Sequence, residues 1–530
     1  MLTLLLAGFS TPASAGVTDD YSALITEVMV NWERPCGRVA AAIERRGDWR
    51  CALEGSENAL RFRPACHEAL ELRCEVVGWS DASMSLSEAD VKLTGVSHYD
   101  EAGWSVSGAG DVDGDGLDDV VVGSPGYTDF DYGTGAAWLV SGATLSATSG
   151  AFSLADADAV MVGDTGAEFF GQEVSGPGDV DGDGYDDLVV GVQNGDGDGS
   201  GSLRGEVYLF RGPLSGEVAL ADADAALTGE ADDDWAGNAV ASEDVDGDGQ
   251  VDLLIAAKHA GGGVGEVFLF QGAFSGEMDL ADADARLLGE DLEDWAGDAL
   301  DGAGDVDGDG LGDVIIGAYG EDDGGADAGA AYMVLGGVTG EVDLADADYK
   351  ILGESSDDRA GAGVAGAGDV DGDGLDDVAV GAPFVTVSGS HVGALYLIGG
   401  ATLVDHGGGV FDLSGADSQL LGDTGSALGY AVSGVGDTNG DGFDDVVAGA
   451  IYDEEVDYRG GAAWLVLGGE TIPTDRDAKL LAESRDDYAG YSVSGAGDID
   501  GDGLDELLVG AYGDDDGGMK AGAVYLFLGR

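Results

Sequence analysis

One acidic stretch, GDVDGDGLDDVVVG at residues 110–123, recurs seven times along this chain, and the repetition restricts the fold more than any other feature. The copies begin at seven aspartates spaced 61–68 residues apart: Asp111, Asp179, Asp244, Asp305, Asp369, Asp437 and Asp498. A period of this length indicates one small supersecondary unit per copy, which must bury its apolar faces against neighbouring units.

Each copy has the spacing of a cation-binding loop. Carboxylates at positions 1, 3 and 5 with a glycine at position 6 suit a tight turn around a hard cation. An EF-hand loop would close with Glu at position 12 and would be flanked by helices. Position 12 is apolar in every copy: Val122, Val190, Ile255, Ile316, Val380, Ala448 and Val509. We therefore predict a calcium-type loop between two β-strands; the alternative is a solvated acidic turn.

The rest of each unit predicts four short strands. GWSVSGAG (103–110) precedes the first loop and a buried β-branched run follows it, then come GAAWLV, a turn containing LADADA, and AVMVG (159–163). Seven four-stranded antiparallel sheets arranged radially bury their faces against each other, which predicts an all-β, seven-bladed β-propeller. The predicted repeats are about 86–141, 151–211, 217–271, 277–336, 341–399, 411–468 and 473–529.

The two ends of the propeller predict how the ring closes. The last unit stops after GAVYLFLGR with three strands, whereas LSEADVKLTG (86–95) precedes the first unit as an isolated fourth-strand element. We predict that the strand around Val91–Thr94 completes the seventh blade and removes the exposed edge of a linear array.

The region before the propeller has a different composition. Residues 1–15 combine a short apolar stretch with Ala13-Ser14-Ala15, which predicts a signal peptide and export. Residues 16–82 hold all four cysteines, Cys36, Cys51, Cys66 and Cys74, and show helical spacing. We predict a small helical module with two disulfides, for which three pairings are open, followed by the propeller at 83–530.

The charge excludes two classes of partner. Lys and Arg total 21 against 105 acidic residues, a formal net charge of -84. Such a surface repels nucleic acid and anionic membranes, and it suits cations, basic partners or a saline medium. No segment beyond the signal peptide approaches a membrane-spanning length, so no membrane insertion is expected.

The loop, the following D-x-x-x-G and the G-A-x-Y strands resemble the FG-GAP repeat, as in the N-terminal β-propeller of integrin α subunits. The resemblance covers about residues 86–530. The Phe-Gly of the family motif stands at Phe170-Gly171, and its Gly-Ala-Pro stands at 381–383.

The resemblance, with calcium's preference for six to eight oxygens, implies the ligand set of each loop. It consists of the side chains at positions 1, 3, 5 and 9 and the backbone carbonyl at position 7, for up to seven structural Ca²⁺ ions. The predicted ligands are Asp111, Asp113, Asp115, Leu117, Asp119; Asp179, Asp181, Asp183, Tyr185, Asp187; Asp244, Asp246, Asp248, Gln250, Asp252; Asp305, Asp307, Asp309, Leu311, Asp313; Asp369, Asp371, Asp373, Leu375, Asp377; Asp437, Asn439, Asp441, Phe443, Asp445; and Asp498, Asp500, Asp502, Leu504, Glu506.

The resemblance also implies that these loops lie on the bottom face and that ligands approach the top. The top would carry the strand 2–3 loops and the inter-blade loops, which mix carboxylates with aromatics. Our candidate partner-binding residues there are Tyr127, Trp235, Trp295, Tyr319 and Tyr452, with Trp235 and Trp295 in one patch. The alternative is that these rings only pack over the ends of the blades and bind no partner.

These features together predict a secreted or cell-surface, calcium-binding propeller that binds an extracellular protein or glycan, as in adhesion. No catalytic residue is predicted, because the five histidines show no paired nucleophile pattern. The alternatives are an extracellular enzyme or accessory domain acting on polysaccharide, and a purely structural coat protein.

Overall fold

The computed structural model describes residues 49–52, 73–76, 83–128, 134–163, 169–195 and 203–530. Two compact units divide the chain, residues 1–80 with Arg530, and residues 81–529. In the first unit, strands β1 (Trp49–Ala52) and β2 (Arg73–Val76) pair antiparallel, with Cys51 opposite Cys74. These segments are strands where helices were expected. The remainder of the predicted module, including Cys36 and Cys66, and the predicted signal peptide lie outside the described residues.

The second unit is a seven-bladed β-propeller, as predicted. Each blade is an antiparallel sheet of four strands, numbered 1 to 4 outward. Blades 1 to 4 consist of β5 (Val106–Gly110), β6 (Asp119–Ser124), β7 (Ala136–Val140), β9 (Ala159–Val162); β10 (Glu173–Gly178), β11 (Asp187–Val192), β12 (Glu206–Phe210), β14 (Ala225–Thr228); β15 (Ala236–Glu243), β16 (Asp252–Ala257), β17 (Glu266–Phe270), β19 (Ala285–Leu288); and β20 (Leu300–Gly304), β21 (Asp313–Ala318), β22 (Ala330–Val334), β24 (Tyr349–Leu352).

Blades 5 to 7 consist of β25 (Gly363–Gly368), β26 (Asp377–Ala382), β29 (Ala394–Ile398), β31 (Ser418–Leu421); β32 (Leu428–Gly436), β33 (Asp445–Ala450), β34 (Ala462–Val466), β35 (Ala478–Leu481); and β36 (Val493–Gly495), β37 (Leu507–Ala511), β38 (Ala523–Phe527), β4 (Val91–Thr94). A hairpin of β27 (Thr386–Val387) and β28 (Ser390–His391) extends blade 5. In the described part of the propeller, three short helical segments lie in connections: α1 (Gly142–Ser146), α2 (Ala260–Gly263) and α3 (Gly400–His406). Among the described residues, no helix is long and apolar enough to cross a membrane.

The core lies between the blades, which explains the strand sequences. Strand 2 is buried at every residue in all seven blades, for example along β6 and β26, because both of its faces pack against other blades. Such strands read as continuous apolar runs rather than alternating ones. Strand 4 alternates between buried and half-buried residues in blades 1, 2, 3 and 7, as in β9. The seven innermost strands contact one another in sequence, and β36 contacts β5, so the inner ring is closed.

Close backbone contact between blades explains the glycine of the Phe-Gly motif. Gly171 has φ +84°, and a Cβ atom there would lie 2.3 Å from the carbonyl oxygen of Ala136. A Cβ on Gly123 would lie 2.2 Å from the carbonyl oxygen of Gly171. A side chain at either position would push the neighbouring backbones apart.

The predicted ring closure is confirmed. Strand β4 pairs antiparallel with β38, with Val91 opposite Leu526 and Leu93 opposite Val524. The first strand of the propeller region thus completes the last blade.

A fifth strand, which the sequence analysis did not predict, covers the outer edge of six blades. Before each LAD turn the chain runs parallel to strand 4 of the preceding blade; β13, for example, pairs with β9. These strands are β3 (Ser83–Ser85), β8 (Gly150–Ser153), β13 (Gly216–Ala219), β18 (Gly276–Asp279), β23 (Gly340–Asp343) and β30 (Gly409–Asp412). They are followed by 3₁₀ turns at Leu86–Glu88, Leu154–Asp156, Leu220–Asp222, Leu280–Asp282, Leu344–Asp346 and Leu413–Gly415. The fifth strands protect the sheet edges from other chains.

Deleting residues 86–95 should open the propeller. The deletion removes β4 and leaves the outer side of β38 unpaired, so we expect a lower melting temperature and aggregation in size-exclusion chromatography. Deleting residues 16–80 is the control and should leave the melt of the propeller unchanged. Unfolding by the longer deletion, with a harmless shorter one, would contradict the assigned closure.

Candidate metal loops and upper-face site

The seven acidic loops lie at one end of the propeller. Each joins strand 1 to strand 2, as between β5 and β6. In an antiparallel sheet the 1–2 and 3–4 connections leave at one end, while the 2–3 and inter-blade connections leave at the other. We call the acidic-loop end the lower face and the opposite end the upper face.

The first residue of each loop organises its backbone. The Asp111 carboxylate accepts hydrogen bonds from the N–H groups of Gly114 (2.8 Å), Asp115 (2.9 Å) and Gly116 (2.9 Å). The bond from position 6 to position 1 is present in all seven loops. Asp113 accepts the N–H of Asp115 at 3.1 Å. The carboxylates are therefore turned toward the loop interior.

The structure brings predicted ligands together. Carboxylate oxygens within 4.8 Å of one another occur in the sets Asp111, Asp113, Asp115; Asp179, Asp181, Asp187; Asp244, Asp246, Asp248; and Asp305, Asp307, Asp313. Burial and the negative charge of Asp115 raise the pKa of Asp113 above its ordinary value, and Asp307 and Asp371 are raised for the same reasons. Each set is a group of oxygen donors whose charges repel one another.

The carboxylate at position 9 is buried and ties three segments together. Asp119 is the first residue of strand 2; its Oδ2 accepts the N–H of Val112 at 3.1 Å, and its Oδ1 accepts the N–H of Gly142 at 2.9 Å. Both kinds of bond occur in all seven units. The loop is thereby fixed to strand 2 and to the start of the 3–4 connection.

Burial raises the pKa of the position 9 carboxyl group in all seven units. The pKa of Asp119 rises to about 7, because desolvation and the charge of Asp113 outweigh the bonds from Gly142 and Val112. The pKa is raised to about 6 in Asp187 and Asp252, to about 7 in Asp313, Asp377 and Asp445, and to about 8 in Glu506.

The sixth and seventh loops keep this geometry despite their substitutions. Asn439 Oδ1 accepts the N–H of Asp441 at 2.9 Å, as an aspartate does elsewhere. Glu506 accepts the N–H groups of Ile499 (2.6 Å) and Gly529 (3.3 Å), so its longer side chain makes the same two bonds as Asp at position 9.

The acidic residue at position 8, which sequence reasoning did not assign, links consecutive blades. Asp186 Oδ2 accepts the N–H of Asp111 in the preceding loop at 2.7 Å. The carboxylates of Asp376, Asp444, Asp505 and Asp118 accept equivalent bonds of 2.7–2.8 Å from the first residue of the preceding loop. The only sequence signal for this role is the Asp-Asp pair at positions 8 and 9.

Blade 4 has Gly312 at position 8, and Glu243 from blade 3 replaces the absent carboxylate. Glu243 accepts the N–H groups of Asp244 (3.1 Å) and Gly304 (3.2 Å). A Cβ on Gly312 would lie 2.3 Å from Cγ of Glu243. The two departures from the repeat are therefore complementary.

On the upper face, the residue before each Phe-Gly-type pair has a left-handed backbone. The seven equivalents, with φ between 53° and 59°, are Glu101, Phe169, Trp235, Trp295, Arg359, Ala427 and Tyr488. This conformation is uncommon for residues other than glycine, and costly for bulky ones. In this protein, the residue that follows the left-handed one forms a β-bridge with the residue just before strand 3 of the preceding blade, as Ala489 does with Gly461.

Five aromatic rings from blades 6, 7 and 1 meet at the upper mouth of the ring. Trp104 lies 4.9 Å from Tyr491 and 5.0 Å from Tyr512 between ring centroids, and Tyr491 lies 4.7 Å from Tyr512. Tyr488 stacks on Tyr512 at 5.1 Å, and Tyr430 lies 5.4 Å from Tyr491. We call these five residues the aromatic mouth; all are partly exposed. Of the five, Tyr488 belongs to the upper-loop aromatics expected from the sequence, although it was not among the candidate partner-binding residues; the other four were missed, and G-[WY] at the start of strand 1 marks three of them.

The opposite side of the same opening is polar. The positions equivalent to Trp104 in blades 2, 3 and 4 are Gln172, Asn238 and Asp298. Asn238 donates to the carbonyl of Gly297 at 2.6 Å, and Lys258 Nζ lies 2.7 Å from Asp298 Oδ1. The opening therefore has an aromatic half and a polar half.

The five predicted partner-binding residues do not form one patch. Trp235 stacks on His259 at 3.8 Å, whereas Trp295 lies 5.0 Å from Tyr319. The segment from His259 to Gly263 lies between the two tryptophans. A Cβ atom built on Gly263 would lie 3.3 Å from Trp295 Nε1. Tyr452 borders the aromatic mouth, 6.4 Å from Tyr488. Tyr127 lies edge-on to Trp138 at 5.1 Å and packs against the hydrophobic core.

Three lysines hold acidic upper loops together. Lys479, which is 1% exposed, lies 2.7–2.8 Å from Asp423, Asp453 and Glu455. Lys350 and Lys92 occupy the equivalent positions in blades 4 and 7, each against three carboxylates. Burial opposes the charged form of Lys479, but the three carboxylates raise its pKa above the ordinary value. These lysines neutralise the most crowded acidic pairs of the upper face.

Comparison with known proteins agrees with this architecture. The family model for the FG-GAP repeat matches residues 102–140, 170–210, 236–270, 360–398 and 489–527, which are the stretches from the Phe-Gly-type pair to the end of strand 3 in blades 1, 2, 3, 5 and 7. Blades 4 and 6 have the same strands.

Curated relatives match parts of the chain. Integrin alpha pat-2 of Caenorhabditis briggsae is 30% identical over 248 residues, covering 40% of this chain and 19% of the relative. Integrin alpha-IIb of Homo sapiens is 34% identical over 194 residues, covering 34% and 18%. A phosphatidylinositol-glycan-specific phospholipase D of Rattus norvegicus is 30% identical over 217 residues, covering 38% and 25%. The chain thus spans about a fifth of the length of the integrin relatives. Seven blades of one plan, five FG-GAP matches and these relatives identify the chain as an FG-GAP repeat protein with an integrin α-like propeller.

Proposed function

We propose that this chain is an exported, calcium-loaded propeller that binds an extracellular protein or glycan through its upper face, at the cell surface or in the medium. The observation that carries the proposal is the aromatic mouth, where five rings in mutual contact stay partly exposed beside polar side chains. Rings fixed by their neighbours lose little freedom on binding, and aromatic residues are enriched among those that carry interface energy. The similarity to integrin α chains supports a recognition role.

Lysines of the chain itself occupy the acidic pairs of two upper loops. Glu321 and Asp323 both lie within 2.9 Å of Lys350 Nζ, and Asp453 and Glu455 lie 2.8 Å from Lys479 Nζ. These ion pairs hold the loops together, and the aromatic mouth is the surface that we propose for binding.

We further propose that the lower loops hold Ca²⁺. The donors are oxygens only, their spacing recurs in seven units, and position 1 preforms the loop backbone. Positions 1, 3, 5 and 9 would supply side-chain oxygens and position 7 its carbonyl oxygen. These five groups reach the six to eight donors that calcium takes when a carboxylate binds with both oxygens or water completes the set. A bound cation would remove the repulsion among carboxylates that hold the lower face together.

Removing calcium should destabilise the propeller. With free calcium ~100-fold above Kd, one site contributes about 2.7 kcal/mol to the free energy of unfolding. EDTA should therefore lower the melting temperature sharply, and added calcium should restore it more effectively than magnesium. Asp373→Asn, in the fifth loop, should remove one site from the calorimetric stoichiometry. Asp346→Asn, in an exposed 3₁₀ turn, is the matched control. Equal melts with EDTA and with calcium would contradict the assignment.

The effect of calcium should depend on pH. Because the pKa of the position 9 carboxyl group is raised from 3.8 to about 6–7 in the folded aspartates, the folded state without calcium binds more protons than the unfolded state between about pH 4 and pH 7. Stability without calcium therefore falls as pH rises through this range, whereas calcium binds the deprotonated groups. The gap between melting temperatures with calcium and with EDTA should widen from pH 5 to pH 8. A constant gap would show that these carboxylates do not bind the ion.

Truncating the aromatic mouth should abolish partner binding without changing calcium affinity. Tyr488→Ser with Tyr512→Ser removes the stacked pair, and losses of ~2 kcal/mol or more per hot spot correspond to at least about 30-fold weaker binding. Tyr99→Ser is the control, because this ring is 47% exposed and lies outside the mouth. Binding would be measured on glycan arrays and by pull-down of extracellular matrix proteins, beside thermal melts. Retained binding by a folded double variant would move the ligand site elsewhere.

The predicted pair Trp235 and Trp295 gives a separate test of the upper face. Replacing both with alanine should weaken binding if the ligand extends over blades 2 to 4. A lower melt with unchanged binding would assign both rings to packing, since loss of a core tryptophan costs about 3–5 kcal/mol.

A further inference from the structure

Blade 5 differs from the other six blades at its outer edge. The others each end in a fifth strand, which pairs with strand 4. Within residues 83–530 as the structure describes them, no strand pairs with the outer side of β31. Among the seven strands 4 of the described propeller, β31 (Ser418–Leu421) is the one whose outer side no fifth strand covers.

The connection that would cover this edge is shortened. Residues 467–477 of blade 6 join strands 3 and 4 in 11 residues, against 14 for residues 211–224 of blade 2. Pro473 lies four residues before Asp477, as Leu220 of the 3₁₀ turn lies four residues before Asp224. The shortening therefore falls in the part of the connection that forms the fifth strand β13 in the connection of blade 2, and this leaves the outer side of β31 without a strand partner.

The same part of the chain is unusually low in charge. Residues 383–422 contain three acidic residues, Asp405, Asp412 and Asp417, against 105 in the whole chain of 530. They also hold four of the eleven exposed large apolar residues of the described structure: Val387, Val404, Val410 and Leu421.

The side chains on β31 do not repel a second strand. In four other blades the second residue of strand 4 is a cation: Lys92, Arg286, Lys350 and Lys479. In β31 it is Gln419, which donates to Tyr396 Oη at 2.7 Å. Leu421, on the same face of the strand, is 43% exposed. Edge strands usually carry charges that prevent pairing with another chain, and this one carries none.

We propose that the outer edge of blade 5 pairs with the same edge of a second copy of this chain, β31 against β31 in antiparallel orientation. Two copies with a formal charge of -84 each repel one another over most of their surface. They can approach closely where charge is lowest, and there the backbone offers unpaired hydrogen-bonding groups. A twofold axis places identical edges opposite each other, which is the geometry of an isologous dimer.

The test measures the mass of the full chain in calcium by sedimentation equilibrium, at several protein concentrations and at 0.05 M and 1 M salt. We expect a monomer–dimer equilibrium whose dissociation constant falls at high salt, because screening reduces the repulsion between copies. Leu421→Lys should weaken the dimer at least 10-fold. Val456→Lys is the matched control: Val456 is 46% exposed, on an upper loop of blade 6, and its replacement should leave the dimer unchanged.

A second variant supplies the absent strand. Replacing residues 467–477 with residues 335–348, the connection that includes β23, should cover β31 and give a monomer with an unchanged or higher melt. A wild-type monomer at every concentration and salt would overturn the proposal and leave the edge to residues outside the described part or to another protein. A dimer that persists in Leu421→Lys would also overturn it, by placing the contact elsewhere. If the replacement fails to fold, the pair of lysine variants decides.

Discussion

The propeller depends on one buried carboxylate per unit, at position 9 of the acidic loop. It begins strand 2, accepts an N–H from the loop and accepts a second from the start of the 3–4 connection, so it joins three segments of every blade. A buried carboxylate without a cation is costly, as the raised pKa of Asp119 shows. The same group that fixes the blade thus adds negative charge to the lower face. In the calcium-bound state that we propose, folding and ion binding would be coupled, because both would use the same oxygen atoms.

The upper and lower faces accommodate the excess of acidic residues in different ways. On the lower face, carboxylates accept backbone N–H groups and lie together in sets of oxygen donors. On the upper face, the protein supplies the cation itself, as where Lys479 lies among Asp423, Asp453 and Glu455. Other cations lie over aromatic rings, as Arg459 lies 5.1 Å from the ring of Tyr458. A chain with 21 basic residues therefore uses several of them where acidic loops from two blades converge.

The sequence predicted the features that repeat and missed those that join different units. The loops, the buried strands and the closing strand at Val91–Thr94 follow from patterns within one unit. The fifth strands were missed because GEVA reads as part of a turn, and its partner strand belongs to the preceding blade. The role of Asp186 was missed for a related reason, since its acceptor bond is to Asp111, 75 residues earlier. Trp104 and Tyr491 become neighbours only through ring closure, which no local pattern contains.

The differences among units are therefore more informative about function than their shared plan. Where the repeat is kept, as in the position 9 carboxylate, the residue maintains the blade. Where two departures compensate each other, as Glu243 does for Gly312, the change preserves the contact between blades. Two departures without such compensation stand out: the partly exposed aromatic residues of the upper mouth and the shortened connection beside blade 5. Other blades close without either feature, so each is a surface that the repeat itself does not require, and exposed apolar surfaces of this kind are candidates for partner binding.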